Sequence, residues 1–389
     1  MKVIAFLFWA LFPYLCISQE SCFSDDFVLY DQADATNFAE NFPTCTIIEG
    51  DLVIQGNVNF IGMEQIVEIQ GYIRCGGGEC NAYPHENFLG LENLTSVGGI
   101  SLDEHSFSFD GLSSLENITE HLHLSECGLT NNFGDLSNLT TIGGSFMMSE
   151  TNFESFQGLE NLNTVYGNFH VSENDMMLSS DFIGSLSTIG GGFEMDDCSL
   201  LENFNDFSAL TAVGGNFEIS GCPQANSLNG FDNLEYIMGA LKLTQCTSLS
   251  DISGLANIVP QSITHVEFRN NPALSYCSVN SICGHLLENG DHDIEMNMDG
   301  CNTAEEILNQ CVVNISENEP IQFSILSSVI GETIQVSNPN NIRFTIYNSS
   351  GQQVFQSNQA GTISISHLAS GVYTILSTEY GITHRFVKR

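Results

Sequence analysis

Three cysteines recur at a fixed interval and could form disulfides, bind a metal or make a repeated structural contact. Cys198, Cys222 and Cys246 lie 24 residues apart and end similar segments such as "GGGFEMDDC" and "GGNFEISGC". Zinc ligands come in close pairs that converge on one point, which this spacing does not provide. Thiols and asparagine amides can instead bond backbone groups that a buried bend leaves unpaired. We therefore predict a structural ladder, with a disulfide between neighbouring cysteines as the alternative. Its predicted members are Asn57, Cys127, Asn174, Cys198, Cys222, Cys246 and Asn271.

A second pattern places a carboxylate at one position of five successive segments. This acidic stripe consists of Glu104, Glu126, Glu150, Glu173 and Asp197. At about 5 Å spacing on neighbouring strands, such carboxylates repel one another by roughly 0.2–1 kcal/mol per pair. The stripe is either a solvated acidic edge or a surface that binds a cation or a basic partner. Beside it, a further set of residues should face outward: His121, His123, His170, Glu194 and Glu218.

One segment near Cys301 partly fits the spacing of an EF-hand calcium loop. The candidate ligands are Glu295, Asn297, Asp299 and Glu306. The first ligand of such a loop should be Asp, whereas this chain has Glu295. Thr303 and Glu306 also fit a capping box that begins a helix over "AEEILNQC". We predict no metal and no cofactor, with Ca²⁺ in this loop as the alternative.

The sequence contains no catalytic motif such as HExxH, GxSxG or a phosphate-binding loop. Parallel β-helices do include polysaccharide lyases, in which Arg or Lys neutralises a uronate and helps to remove its proton. Arg74, Lys242 and Arg269 are the basic residues available between residues 19 and 311, and we place them on distant repeats. We therefore predict that the protein is not an enzyme, with a polysaccharide lyase as an alternative.

The elements that must position these residues form a repeat of about 24 residues. A unit of the form G-L-x-x-L-x-x-[VI]-x-G recurs, with its central apolar residue at Leu94, Leu115, Leu139, Leu162, Leu186, Leu210 and Leu234. A short strand with two inward apolar residues follows each unit, for example Phe169/Val171 and Phe193/Met195. The pattern predicts a mainly β chain with a right-handed parallel β-solenoid of about ten rungs.

The strands share the signature L-x-L-x-x-[N/C] of leucine-rich repeats, as in "FEMDDC" and "FHVSEN". The segment "CTIIEGDLVIQGNVNFIGMEQIVEIQGYIRC" (45–75) resembles the receptor L domain, the leucine-rich-like β-helix of insulin and epidermal growth factor receptors. The resemblance covers roughly residues 22–311. It implies protein–protein recognition rather than catalysis, on the exposed sheet face that leucine-rich solenoids use to bind partners.

Eight further cysteines flank or interrupt the repeats. We predict that Cys22 pairs with Cys45 as an N-terminal cap, and that Cys75 and Cys80 close the insertion "CGGGEC". The remaining four allow three pairings in a C-terminal cap, among which the sequence does not decide: Cys277, Cys283, Cys301 and Cys311.

From about residue 312, alternating strands separated by turn signals predict a small β-sandwich. The ordered motifs "FTIYNSSGQQVF", "ISISHLASGVYTI" and "FVKR" resemble the C-terminal sorting domain of type IX secretion, although its usual Tyr-Pro-Asn-Pro opening is absent. This resemblance implies a Gram-negative bacterial protein that the type IX machinery carries across the outer membrane. The tail of such proteins is commonly removed, and the protein is then released or attached to the cell surface.

Charge and the N-terminal sequence restrict the partners further. The start "MKVIAFLFWALFPYLCISQE" has the form of a signal peptide cleaved after Ser18, and no later run is apolar enough to span a bilayer. The net charge is −39, with 47 acidic residues against 8 Lys and Arg. Such a chain repels nucleic acids and anionic lipids, while divalent cations and basic proteins complement it.

These observations predict three segments: a signal peptide (1–18), a receptor L or leucine-rich-repeat-like solenoid (19–311) and a sorting β-sandwich (312–389). The predicted function is recognition of a protein or glycan at the cell surface or outside the cell. A structural adhesin or matrix component without a single ligand is the first alternative, and the lyase is the second. The expected partners are the type IX machinery and an extracellular protein or glycan.

Overall fold

A computed structural model describes residues 20–56, 58–75, 87–103, 107–127, 132–316, 324–325, 333–337, 343–348, 352–358, 361–377 and 382–388. The chain forms two compact units, the first ending at Cys311 and the second beginning at Val312. The predicted signal peptide, Asn57, Cys80 and Glu104 lie outside the described residues. The predicted bond between Cys75 and Cys80 therefore also lies outside them.

The first unit is mainly β, and its strands join in one large sheet in which neighbouring strands run parallel. The strands are β1 (Glu20–Cys22), β2 (Phe27–Leu29), β3 (Cys45–Ile48), β4 (Leu52–Ile54), β5 (Glu68–Cys75), β6 (Ser96–Asp103), β7 (Asn117–Ile118), β8 (Leu122–Ser125), β9 (Thr141–Ile142), β10 (Phe146–Ser149), β11 (Thr164–Val165), β12 (Phe169–Ser172), β13 (Thr188–Ile189), β14 (Phe193–Asp196), β15 (Ala212–Val213), β16 (Phe217–Ser220), β17 (Tyr236–Ile237), β18 (Ala240–Thr244), β19 (His265–Arg269) and β20 (Asp291–Glu295).

Two ladders make up this sheet. The main ladder runs through β2, β4, β5, β6, β8, β10, β12, β14, β16, β18, β19 and β20. The second ladder uses two-residue strands from β7 to β17, and β5 and β6 are long enough to take part in both. The repeat pattern located the main ladder from β4 to β19, and the structure adds β2 and β20 at its ends. Short 3-10 helices lie between repeats, at Leu136–Asn138, Asn205–Ala209, Ser253–Leu255 and Pro260–Ser262.

Alternation along each main-ladder strand buries two apolar side chains, as the sequence pattern requires. Phe169, Phe193 and Phe217 occupy the same register position on β12, β14 and β16. Their rings stack with centroid distances of 5.7 Å and 4.9 Å, and all three are fully buried. They therefore form the single interior file that the 24-residue period predicts.

The conserved letters of the unit "GLENL" each have a structural task, shown by the copy at 90–94. Gly90 has φ of 105°, a left-handed region that glycine enters without steric cost. Its N–H donates to Glu92 Oε1 at 3.0 Å, and the Asn93 side-chain amide donates to the Glu64 carbonyl of the preceding repeat at 2.8 Å. Leu91 and Leu94 are fully buried. The repeat is thus closed within one turn and bonded to its neighbour.

Helices and disulfides lie at both ends of the first unit. Helices α1 (Gln32–Thr36) and α2 (Phe38–Asn41) lie close to the predicted bond between Cys22 and Cys45, which is present. At the other end stand α3 (Asn280–Leu287) and α4 (Ala304–Ser316). Of the three pairings that the sequence allowed there, the structure has Cys277–Cys301 and Cys283–Cys311.

The second unit contains antiparallel strands in two sheets. One sheet comprises β21 (Ser324–Ile325), β22 (Thr333–Ser337) and β25 (Gly361–Ser364), and the other β23 (Phe344–Asn348), β24 (Gln353–Ser357), β26 (Gly371–Ser377) and β27 (Ile382–Lys388). Near the basic end, the buried Lys388 Nζ donates to the carbonyls of Ile365, Ser366 and Leu368 at 2.8, 3.1 and 2.5 Å. This ammonium ties β27 to the turn that precedes β26.

Candidate binding face

The outward side chains of the main ladder form two rows in register. The first outward row lies between the two buried residues of each strand and comprises Ser101, His123, Met147, His170, Glu194, Glu218, Lys242, Glu267 and Asp293. The second outward row follows the second buried residue and comprises Asp103, Ser125, Ser149, Ser172, Asp196, Ser220, Thr244, Arg269 and Glu295. The ladder therefore presents a continuous polar surface.

The structure brings four of the five predicted outward residues into the first row: His123, His170, Glu194 and Glu218. The fifth, His121, lies just before β8 rather than within it. Its Nδ1 accepts the backbone N–H of Ser145 at 2.8 Å. This bond joins two repeats at the point where the chain enters the sheet, so His121 has a structural contact that the alternation did not predict.

His170 is held by groups on two strands. Its Nδ1 lies 2.8 Å from Glu194 Oε2 on the next strand, and its Nε2 lies 3.1 Å from Ser172 Oγ on the same strand. The order Ser, His, Glu is that of a hydrolase relay, which also needs backbone N–H donors beside the serine for a developing oxyanion. The N–H that follows Ser172, that of Glu173, is already donated to the Asp196 carbonyl at 2.9 Å. The three side chains thus order the surface without the donor that acyl transfer requires.

Two basic residues are closer together than the sequence suggested. The prediction that Arg74, Lys242 and Arg269 lie on distant repeats is wrong for Lys242 and Arg269, which come from the adjacent strands β18 and β19. Lys242 Nζ lies 3.1 Å from Glu218 Oε2, and Arg269 lies 3.0 Å from Asp293 and 3.5 Å from both Glu267 and Glu295. Both cations are therefore matched by carboxylates of the same face.

Polar contacts also order the other end of the face. Arg74 forms ion pairs with Asp51 and Asp26 at 2.5 and 2.9 Å. The hydrogen bond to Asp51 is the main cause of a raised pKa for the Arg74 guanidinium. Tyr72 Oη donates to Glu120 Oε2 at 2.7 Å. Burial, followed by this bond to a carboxylate, raises the pKa of Tyr72 to about 12, so the phenol stays a donor at neutral pH.

The described residues of the acidic stripe share an unusual backbone conformation. Glu126, Glu150, Glu173 and Asp197 have φ between 48° and 54°, the left-handed region, and all four are exposed. Each donates its N–H to the next strand, for example Glu126 to the Ser149 carbonyl at 3.0 Å. The next repeat has Gly221 here with φ of 63°. The stripe is therefore the bend at which the chain leaves the sheet, and its side chains point into solvent along one edge of the face.

Beneath this bend lies the ladder of thiols and amides. The side chain at each step donates to the second buried residue of the preceding strand: Cys127 to the Leu102 carbonyl at 3.3 Å, Asn174 to Met148 at 3.0 Å, Cys222 to Met195 at 3.9 Å, Cys246 to Ile219 at 3.8 Å and Asn271 to Leu243 at 2.9 Å. Cys198 donates to the Asp196 carbonyl at 3.6 Å. Asn297 continues the series, donating to the Phe268 carbonyl at 2.8 Å. These bonds satisfy carbonyls that the bend leaves without a strand partner.

Local bonds occupy the residues that resembled a calcium loop. Asn297 belongs to the ladder, and Glu295 pairs with Arg269. Glu306 Oε2 accepts the N–H groups of Gly300 and Asn302 at 2.8 and 3.0 Å, while its own N–H donates to Thr303 Oγ1 at 3.2 Å, as in a helix N-terminus. Among the described residues, no three His, Cys, Asp or Glu side chains are grouped so that they could hold a metal ion.

The thiols of Cys198, Cys222 and Cys246 are free and fully buried. The hydrogen bond with Cys198 is the main cause of a raised pKa for Cys222, and the bond with Cys222, followed by burial, raises the pKa of Cys246. Because the thiolate is the nucleophile, a raised pKa keeps these groups unreactive even in mildly alkaline solution.

We therefore expect all three thiols to resist iodoacetamide in the native protein at pH 8 and to react fully once guanidinium unfolds it. Peptide mass spectrometry of the two samples measures the modified fraction at each position. Substantial native modification of Cys222 or Cys246, or a disulfide between two of the three, would contradict the ladder.

Comparison with known proteins assigns the C-terminal part of the chain. Residues 330–389 match the family described as the secretion system C-terminal sorting domain. The chain ends in a secretion sorting domain. This domain indicates export by type IX secretion to the cell surface or the medium, and it implies contact with that machinery. The match begins at residue 330, later than the predicted boundary at 312. No curated protein matches the chain.

A membrane-spanning helix is a separate question from this export signal. In the part of the chain that the structure describes, no helix is both long enough and apolar enough to cross a bilayer.

Sequence reasoning missed several residues of this face. Ser172 and Asp196 belong to the second outward row, which the alternation rule would have found because it continues two positions beyond His170 and Glu194. Arg269 was considered only as a catalytic cation, although its place two residues after Glu267 on one strand puts both on the same face.

Proposed function

We propose that the first unit is a receptor L or leucine-rich-repeat-like right-handed solenoid that recognises an extracellular protein or glycan without catalysis. The type IX tail delivers it to the surface of a Gram-negative bacterium or to the medium. The observation that carries the proposal is the uninterrupted outward rows, whose polar side chains stay in register from β6 to β20. Exposed sheet faces of this kind are the surfaces on which stacked repeats bind partners.

The chemistry of the face supports binding rather than turnover. Its cations are paired with carboxylates, as Lys242 is with Glu218, so they are not available to neutralise a uronate. His170 is fixed between Ser172 and Glu194, but the adjacent N–H is committed to the sheet. Fixed, half-buried polar groups present a preorganised surface, which lowers the entropy cost of binding.

A variant of the face tests this proposal. The full chain and H170A/E194Q/E218Q are immobilised and exposed to envelope and extracellular fractions of the producing cells and to purified surface glycans. We expect the wild type to retain one partner, and the triple variant to lose at least about 90% of that capture, roughly 1.4 kcal/mol. The matched control is T140A/T211A, at exposed positions away from the main-ladder strands, and it should retain the partner.

Equal capture by all three proteins would move binding off the outward rows. Capture of nothing by the wild type would favour the structural adhesin or matrix component instead. Formation of unsaturated product from uronate polymers would overturn the non-enzymatic role.

A further inference from the structure

A cluster of exposed apolar side chains lies beyond the acidic stripe, on the turns that follow β12 and β14. This apolar patch consists of Met176, Leu178, Phe182 and Leu200, which are 46%, 48%, 43% and 41% exposed. Ser199 Oγ donates to Asp175 Oδ1 at 2.5 Å, which aligns the turn carrying Met176 with the turn carrying Leu200 on the next repeat. Met177 and Leu201, the neighbours of these residues in sequence, are fully buried. The core is therefore already supplied, and the patch is additional apolar surface.

The backbone at Phe182 shows that this surface is not a requirement of the fold. Phe182 has φ of 75°, whereas the position 24 residues earlier is Gly158 with φ of 104°. A bulky residue in the left-handed region costs roughly 1–2 kcal/mol relative to its usual conformations. Glycine serves the same turn in the neighbouring repeat without that cost. An exposed phenylalanine held at a strained position points to a role outside folding.

Carboxylates surround the patch. Leu178 is bonded through its backbone to Glu154 at 2.9 Å and to Glu202 at 3.1 Å, on the repeats before and after it. Asp206 Oδ2 accepts the N–H of Phe182 at 2.6 Å, and Asp175 lies between Met176 and the acidic stripe residue Glu173. The sequence has no Lys or Arg between Arg74 and Lys242. The rim is thus purely acidic around an apolar centre.

This charge pattern restricts the occupant. Nucleic acids and anionic lipids are repelled, and a second copy of this chain would bring another net charge of −39 against the same rim. Protein interfaces have an apolar centre that carries most of the binding energy and a polar rim that sets specificity. We propose that the apolar patch docks a cationic amphipathic protein segment, with its apolar side chains on Met176, Leu178, Phe182 and Leu200 and its Lys or Arg side chains on the acidic rim. The inference rests on the proposed recognition role and names the chemistry of the partner.

Two synthetic peptides of equal charge test the docking surface on the full chain. One is a helix-forming peptide with Leu on one face and Lys on the other, and the second has each Leu replaced by Ser. At 150 mM salt, where distant charges are screened, fluorescence anisotropy should give at least about tenfold tighter binding for the Leu peptide. M176S/L178S/L200S should bind both peptides equally. The matched control Y30S/L287S removes side chains that are 65% and 57% exposed elsewhere and should keep the tenfold preference.

A second variant separates docking from folding. F182G removes an aromatic ring but relieves the left-handed strain, so we expect its melting temperature to stay within about 3 °C of the wild type's while the Leu peptide binds several-fold more weakly. Equal binding of the two peptides by the wild type, or an unchanged preference in M176S/L178S/L200S, overturns the proposal. If that triple variant also retains the natural partner that H170A/E194Q/E218Q loses, the recognition role stands and the patch inference fails.

Discussion

Replacing Asn174 with alanine is expected to lower the free energy of unfolding of the first unit by about 3–4 kcal/mol. The Asn174 amide donates to the carbonyls of Met148 and Ser172 at 3.0 and 2.7 Å, and its Oδ1 accepts from the N–H and hydroxyl of Thr151 at 2.9 and 2.5 Å. Asn174 and Thr151 are buried, so water does not replace these bonds. Leaving a buried polar group unpaired costs about 1–3 kcal/mol, and relaxation recovers part of the total.

Urea unfolding followed by circular dichroism measures the loss, and two further variants interpret it. N174C introduces the residue found at Cys127 and Cys198; its thiol can donate to a carbonyl but accepts weakly from Thr151, so we expect about half the loss. N226A alters an exposed asparagine and should stay within about 0.5 kcal/mol of the wild type. If N174C is as destabilised as N174A, thiols and amides are not interchangeable in this ladder.

The period of the sequence was sufficient to predict which residues the fold buries. A step of 24 residues places Phe193 over Phe169, and position six of each strand over the next, so both the aromatic file and the Cys and Asn ladder could be located. Close neighbours in an otherwise regular repeat also indicated the bond between Cys22 and Cys45. Repetition makes such predictions strong, because every copy must satisfy the same packing.

The ends of the sheet could not be predicted because they depart from the repeat. Strand β20 reads "DHDIE", with polar residues at most positions, and it pairs with β19 through its backbone rather than through an apolar pattern. Asn297 just after it resembled a metal ligand, whereas its neighbours in space make it the last member of the ladder. Backbone pairing depends on position in the sheet, which side-chain periodicity does not record.

The candidate site was predictable only in part. Alternation placed His170 and Glu194 outward, but the direct contact between them depends on the register of two strands. The left-handed bend at Glu126 and Glu150 was not predictable, because glutamate has no preference for that region and the bend is imposed by the bonds to the next strand. Exposure of Met176 beside the buried Met177 follows from the same local turn.

A second large effect is expected from Phe193, at the centre of the aromatic file. Its ring stacks on Phe169 and Phe217 and meets Phe207 and Phe231 edge-on at centroid distances of 5.1 and 5.5 Å. F193A should cost about 3–5 kcal/mol of unfolding free energy, because the cavity is enclosed by neighbouring repeats that cannot close in without shifting their strands. F193L should cost less than half of that, and Y166A, at a 65% exposed position, should be near neutral.

The double variant F169A/F193A shows whether this file is one continuous packing unit. Two independent cavities would give a loss equal to the sum of the single losses within about 0.5 kcal/mol. Adjacent rings share the contact that either substitution removes, so the double loss should fall short of that sum by about 1 kcal/mol. Additive losses would mean that Phe169 and Phe193 do not touch in solution, and the 24-residue register that sets both outward rows and the apolar patch would then be wrong.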